Sequence, residues 1–123
     1  MKYLILIFGN PRSRAIWEQF SGEQRSAGYA AYAALDESLR ESGELIVSEA
    51  LTDPALAQRL PARADLGPTD GPFAEAKEQL AGFYLVQCDS MERAIEIAGR
   101  IPESEFGLVE VRPVMDLGDV DLP

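Results

Sequence analysis

Glu110 and Arg112 stand two residues apart in an alternating apolar run, a spacing that puts both side chains on one face of a strand. Glu49, in a second apolar run, can project towards the same side. If that face lines an enclosed space, a partly desolvated Glu–Arg set would bind a small polar or anionic ligand through charge-assisted contacts that are costly to break. On an open surface the same residues would form ordinary cross-strand ion pairs. Both readings stand on the sequence alone.

A second set surrounds Asp70-Gly71-Pro72-Phe73. Turn chemistry accounts for every member of it: Asp70 accepting backbone N–H groups, Gly71 taking a conformation other residues resist, Pro72 stiffening the exit and Phe73 plugging the core. The sharper alternative presents Asp70 to a cleft as a base or ligand acceptor. Glu75, Lys77 and Glu78 follow on a short charged stretch expected to be helical. They are either a solvated turn whose charges offset one another or, for Glu75 and Lys77, groups leaning over the mouth of a cleft. The chain has no histidine, so acid–base chemistry would fall on carboxylates. Asp70 and Glu110 are the catalytic candidates, with Arg112 orienting an anionic group. Glu49, Asp70, Glu75, Lys77, Glu110 and Arg112 together form the candidate ligand-binding set.

Other chemistries have no foothold. The single cysteine, Cys88, has no histidine or clustered cations to favour its thiolate. There is no Cys/His metal set, EF-hand spacing, phosphate loop or dinucleotide fingerprint, so neither metal nor cofactor is expected. Trp17, Tyr32 and Tyr84 could stack on a ligand, though packing roles are commoner. Twenty-one acidic residues against eleven basic ones give a formal charge of −10, and the basic residues are scattered. That balance disfavours direct nucleic-acid binding and docking to an anionic membrane. The longest apolar run, residues 3–8, is far too short to span a bilayer, and a cytoplasmic location is the default expectation.

The elements that must position these groups follow from periodicity. Residues 3–8 are apolar on both alternating sets, as in a central strand. A short helix is expected over 13–21 and a longer one over 23–42, with Ala31, Leu35 and Leu39 on its apolar stripe, Tyr32 beside it, Asp36 falling away, and Gly43 as the closing glycine. Strands follow at 45–51, 82–88 and 108–114, the last at an edge because of Pro113. Between the third and fourth strands, Asp89 and Glu92 have capping-box spacing for a helix with Met91, Ala94, Ile95 and Ala98 on one face. Residues 52–68 have no clean period. A helical turn or an edge hairpin is expected there, with Leu56 and Leu60 available to dock it. The order is β-α-β-β-α-β, a ferredoxin-like α+β fold with a four-stranded antiparallel sheet and helices on one face. The domain is expected over 1–115, with an acidic C-terminal tail over 116–123. Tyr3, Ile5 and Ile7 point one way and Leu4, Leu6 and Phe8 the other, so one apolar row lacks a cover and predicts a homodimer through the open sheet face.

Residues 2–7, Asp70-Gly71-Pro72-Phe73 with Glu75 and Lys77-Glu78-Gln79-Leu80, Gly82-Phe83-Tyr84, and Val109-Glu110-Val111-Arg112-Pro113 resemble, in that order, the YCII-related proteins of the DGPF type. The resemblance implies a small bacterial protein forming a dimeric α+β barrel, two ferredoxin-like protomers packed sheet to sheet. It implies no defined activity. Some such proteins are encoded beside, or fused to, extracytoplasmic-function sigma factors, which makes a sigma factor an implied partner. The better-known YCII branch has a His–Asp pair proposed to be catalytic, and that role cannot pass to a chain without histidine. The segment over 52–68 is also shorter than the hairpin-bearing segment typical of DGPF proteins. Three functions remain in play: a small-ligand binding or sensing module, a cofactor-independent lyase, isomerase or monooxygenase-like enzyme, and a protein-interaction module.

Overall fold

The computed structural model describes residues 1–61, 69–70 and 78–119. In chain order the elements are β1 (Lys2–Gly9), α1 (Pro11–Gln19), α2 (Gly22–Ser42), β2 (Leu45–Ala50), β3 (Gln58–Arg59), β4 (Thr69–Asp70), β5 (Gln79–Gln87), α3 (Met91–Gly99) and β6 (Val109–Pro113). Short 3₁₀ turns lie at Pro54–Leu56, Pro102–Phe106 and Leu117–Asp119. Strands β2, β5, β1 and β6 form, in that order, an antiparallel four-stranded sheet. This is the expected ferredoxin-like α+β fold.

The two apolar rows of β1 separate as the alternation predicts. Tyr3, Ile5 and Ile7 are buried, while Leu4, Leu6 and Phe8 are partly exposed. The buried row continues through Tyr84 and Val86 of β5 and meets Leu35 and Leu39 of α2 and Ala94, Ile97 and Ala98 of α3, with Ile101 and Cys88 closing the cluster. Burying each large aliphatic side chain here stabilises the fold by roughly 1.5–3 kcal/mol. Both core helices therefore lie on one side of the sheet. Every residue of α1 is exposed or partly exposed; its Trp17 packs edge-on against Tyr29 and beside Phe20, with the Arg25 guanidinium over the indole ring.

Local signals set the ends of the elements. Asn10 and Ser13 form a reciprocal capping box at α1, as Ser21 and Gln24 do at α2, and Gly43 closes α2 at φ 77°. Helix α3 starts one residue later than its Asp89–Glu92 spacing predicts. Ser90 is the cap, its hydroxyl accepting from the Arg93 N–H at 3.1 Å, because the chain leaving β5 is still extended at Ser90. Val114 N–H donates to the Lys2 carbonyl, so alternate residues of β6 bond inward and the N–H that Pro113 lacks belongs to the free edge. Gly82 sits where β5 presses on β2, and a Cβ there would lie 2.8 Å from the Glu49 carbonyl oxygen. The β1–β5 ladder shifts register beside it, between Ile7 and Phe8.

Several expectations need correction. Ala31 is exposed, and α2 buries only Leu35 and Leu39. On α3 it is Ile97 that enters the core, while Ile95 is 56% exposed. Leu56 and Leu60 dock nothing, at 71% and 79% exposed. The segment after β2 does contain the helical turn and, in β3 paired with β4, a two-stranded ribbon. Strand β5 begins at Gln79, three residues before the expected start.

Candidate functional site

Strand register decides which candidate residues share a surface. Glu49 lies opposite Phe83, Phe83 opposite Leu6, and Leu6 opposite Glu110, giving one row across all four strands. The next row runs Val47, Leu85, Leu4 and Arg112. These rows alternate with the buried ones, so Glu49, Glu110 and Arg112 all stand on the face that the helices leave open. Their neighbours there are apolar. Leu4, Leu6, Phe8, Phe83 and Leu85 are partly exposed, and Val47 and Leu80 more so, at 37% and 38%.

The register brings the three charged residues to one face but not into one cluster. Glu110 and Arg112 are neighbours on edge strand β6. Glu49 is on the opposite edge, three strand spacings or about 14 Å away. Among the described residues none of the three forms an ion pair, and all are exposed. The cross-strand pairs that would have made them simple surface chemistry are not formed among the described residues. Asp70 has its backbone in β4, opposite Gln58, and its side chain lies outside the described residues. Glu75 and Lys77 lie outside them too, as do Gly71, Pro72 and Phe73.

The polar groups on the helix side, by contrast, are spoken for. Tyr84 donates its phenol to Asp36 of α2, and Tyr32 donates to Glu103 in the 3₁₀ turn after α3. Burial foremost, and Asp36 after it, hold the Tyr84 phenol protonated far above its ordinary range. Burial likewise raises the Glu103 carboxyl. Asp36 thus faces the sheet, contrary to its expected outward position: it lies one turn beyond Tyr32, and the phenol below it supplies the donor a half-buried carboxylate needs. At the other end of the core, Arg93 grips Glu44 with two contacts of 2.8 and 2.9 Å, and its hydrogen bond lowers the Glu44 carboxyl below the usual range.

Two concavities were not foreseen. A groove of about 520 Å³ between α3 and β6 is lined by Met91, Ile95, Ala98, Val109 and Val111. A smaller one, about 140 Å³, lies at the sheet end beneath α1, where Arg14, Thr52, Asp53 and Gln79 meet Leu51 and Leu80. Arg14 donates to the Gln79 amide oxygen at 3.3 Å, and Asp53 caps the following turn through the Ala55 N–H. The sequence signal for the second was faint: Arg14 sits just inside a helix that begins where β1 ends, and only the fold reveals that β2 and β5 reach the same corner.

The architecture defines an α+β protein of the ferredoxin-like kind with one sheet face that no helix among the described residues covers. The chain belongs to the YCII-related family, whose model matches residues 1–118. An uncharacterized protein of Rhizobium meliloti (strain 1021) is 32% identical over 128 residues, covering 100% of this chain and 99% of that protein. Among solved structures, the 5-chloro-2-hydroxyhydroquinone dehydrochlorinase TftG from Burkholderia phenoliruptrix, in complex with 2,5-dihydroxybenzoquinone, is similar with a TM-score of 0.52 and 19% identity. That likeness covers 94% of each chain and speaks for the fold. No helix among the described residues is long and apolar enough to cross a membrane.

Proposed function

We propose that the chain works as a homodimer joined through its open sheet faces, and that the space enclosed between them binds a small polar or anionic ligand. The observation that carries this reading is the register of the open face, which sets Arg112, Glu110 and Glu49 among apolar side chains. Covering that face lowers the local dielectric, so a guanidinium there holds an anionic oxygen far more strongly than on a free surface. A few oriented polar groups in an otherwise apolar enclosure are what a small-molecule site requires. A stable contact of this kind would bury about 800 Å² or more per partner.

Thermal denaturation with a panel of small carboxylates, phosphates and hydroxylated quinones tests the ligand. A compound that binds the folded state alone raises the midpoint, by an amount that grows with its concentration. The expected result is a shift in the wild type that Arg112→Ala abolishes. Equal shifts in both proteins, or none with any class, would remove Arg112 from the site.

The likeness to TftG supports a second reading, a cofactor-independent enzyme acting on a small oxygen-rich substrate. Glu110 is then the base, enclosed by the dimer contact beside Arg112. Turnover with such a substrate, lost in Glu110→Gln while binding persists, would distinguish catalysis from binding alone. A sigma-factor partner draws no support from these features and is not proposed.

A further inference from the structure

Resting on the face-to-face dimer proposed above, we infer that Arg112 of each copy pairs with Glu49 of the partner subunit, and that the two resulting ion pairs fix how the copies are set against each other. The sheet has two free edges, β2 and β6. On the open face β2 carries Glu49, and β6 carries Glu110 and Arg112. Within one chain the guanidinium of Arg112 and the carboxylate of Glu49 are kept apart by the full width of the sheet. A two-fold axis running along the strands through the middle of the face reverses the strand order, so β2 of one copy lies over β6 of the other. The same operation closes eight strands towards a barrel and protects both edges, which otherwise present unpaired backbone groups.

Charge then selects the register. Two flat sheets related this way would place Glu49 against the partner's Glu110, carboxylate facing carboxylate, at both rims. Twisted sheets do not stack flat: they cross at about 30°, which slides facing rows past one another at the edge strands, roughly 7 Å from the axis, by about 4 Å, or half a row. A slide of half a row towards the partner's Arg112 leaves Glu49 between the partner's Glu110 and the partner's Arg112, where the long guanidinium side chain reaches across to it. Repulsion becomes attraction. Leu4, Leu6, Phe83 and Leu85 line the enclosed space, and the pairs close its rim. Each chain carries a formal charge of −10, so two copies repel at long range, and opposite charges meeting at the contact offset part of that repulsion.

Charge exchange tests this. Sedimentation velocity over a range of concentrations gives the dimer dissociation constant for the wild type, Arg112→Glu, Glu49→Arg and the double variant carrying both. Either single change should weaken the dimer by about tenfold or more, and the double exchange should recover most of that loss. Arg112→Gln, which adds no new charge, should fall between the wild type and Arg112→Glu, and far-ultraviolet circular dichroism should show every variant folded. A double exchange no better than the worse single variant overturns the pairing and leaves the dimer standing. A wild type that stays monomeric at all concentrations removes the dimer itself, which is a different failure.

Discussion

On the helix side of the sheet, Ile5 and Val86 are fully buried, and the polar atoms that enter the layer have fixed partners, Tyr84 on Asp36 and Tyr32 on Glu103. On the opposite side Leu4, Leu6, Phe83 and Leu85 are equally apolar yet partly exposed, and Glu49, Glu110 and Arg112 stand among them. One strand, β1, supplies both faces from alternate residues. The two faces therefore do different work. The inner face spends its apolar area on folding the chain, and the outer one leaves apolar area and charge that the proposed dimer would cover. Polar groups show the difference most clearly, since inside Tyr84 and Tyr32 bond within the chain, and outside Glu49, Glu110 and Arg112 form no ion pair among the described residues.

The comparison breaks hardest at β1. Ile5→Ala should lower stability by about 2–5 kcal/mol, because a fully buried side chain leaves a cavity. The loss should be the same at low and high protein concentration. Leu6→Ala, one residue on, should cost less in dilute protein and show a deficit that grows with concentration, as the wild type gains stability from association. Urea titrations at two concentrations read both effects; a concentration-independent Leu6→Ala would count against the outer face as a contact.

Next in size is Gly82→Ala, where the new methyl meets the Glu49 carbonyl and the Ala50 backbone of β2. A loss of roughly 1–3 kcal/mol is expected from this overpacking, with the β2 end of the sheet most perturbed in amide chemical shifts. An Ala variant as stable as the wild type would mean that β2 is free to move aside.

Tyr84→Phe sharpens the inner-face side of the contrast. Removing the phenol leaves Asp36 half-buried without its donor, at a cost of about 1–3 kcal/mol. The pH response has a definite sign. The folded phenol holds its proton well beyond the point, near about pH 10, where an unfolded tyrosine releases it, so the native state binds more protons above that pH. Wild-type stability should fall more steeply than that of Tyr84→Phe as pH rises past that point. Parallel curves for the two proteins would show that the phenol is not held in this way.

The smallest effect belongs to Glu44→Gln. Its Arg93 contacts are partly exposed, so a change of about 0–1 kcal/mol is expected at neutral pH. The folded carboxyl titrates below its ordinary value, so the contribution is present above that value and disappears as pH falls through the lowered one. A stability difference between the variant and the wild type that widens in acid would reverse that sign.

Much of this contrast was legible in the residues. The two-sided apolar run of β1, the edge position of β6 and the closing Gly43 all follow from local pattern, because alternation, proline and left-handed backbone act over a few residues. The common face of Glu49, Glu110 and Arg112 was half-legible: strand parity joins Glu110 to Arg112, but Glu49 needed the β2–β5 register, including its irregularity after Leu45. Asp36 could not be placed from periodicity, since its donor lies 48 residues away on β5. The sheet-end cleft around Arg14 and Gln79 was hidden for the same reason.

The order of strands also bears on how the chain is made. Strand β1 is central, yet its partners are β5 and β6, which begin at Gln79 and Val109. At roughly 5–20 residues per second, a ribosome needs on the order of 5–20 s to go from the end of β1 to the end of β6. Until β5 is complete at Gln87, a strand apolar on both faces has neither neighbour to pair with, and it is the nascent segment that a holding chaperone has most reason to shield.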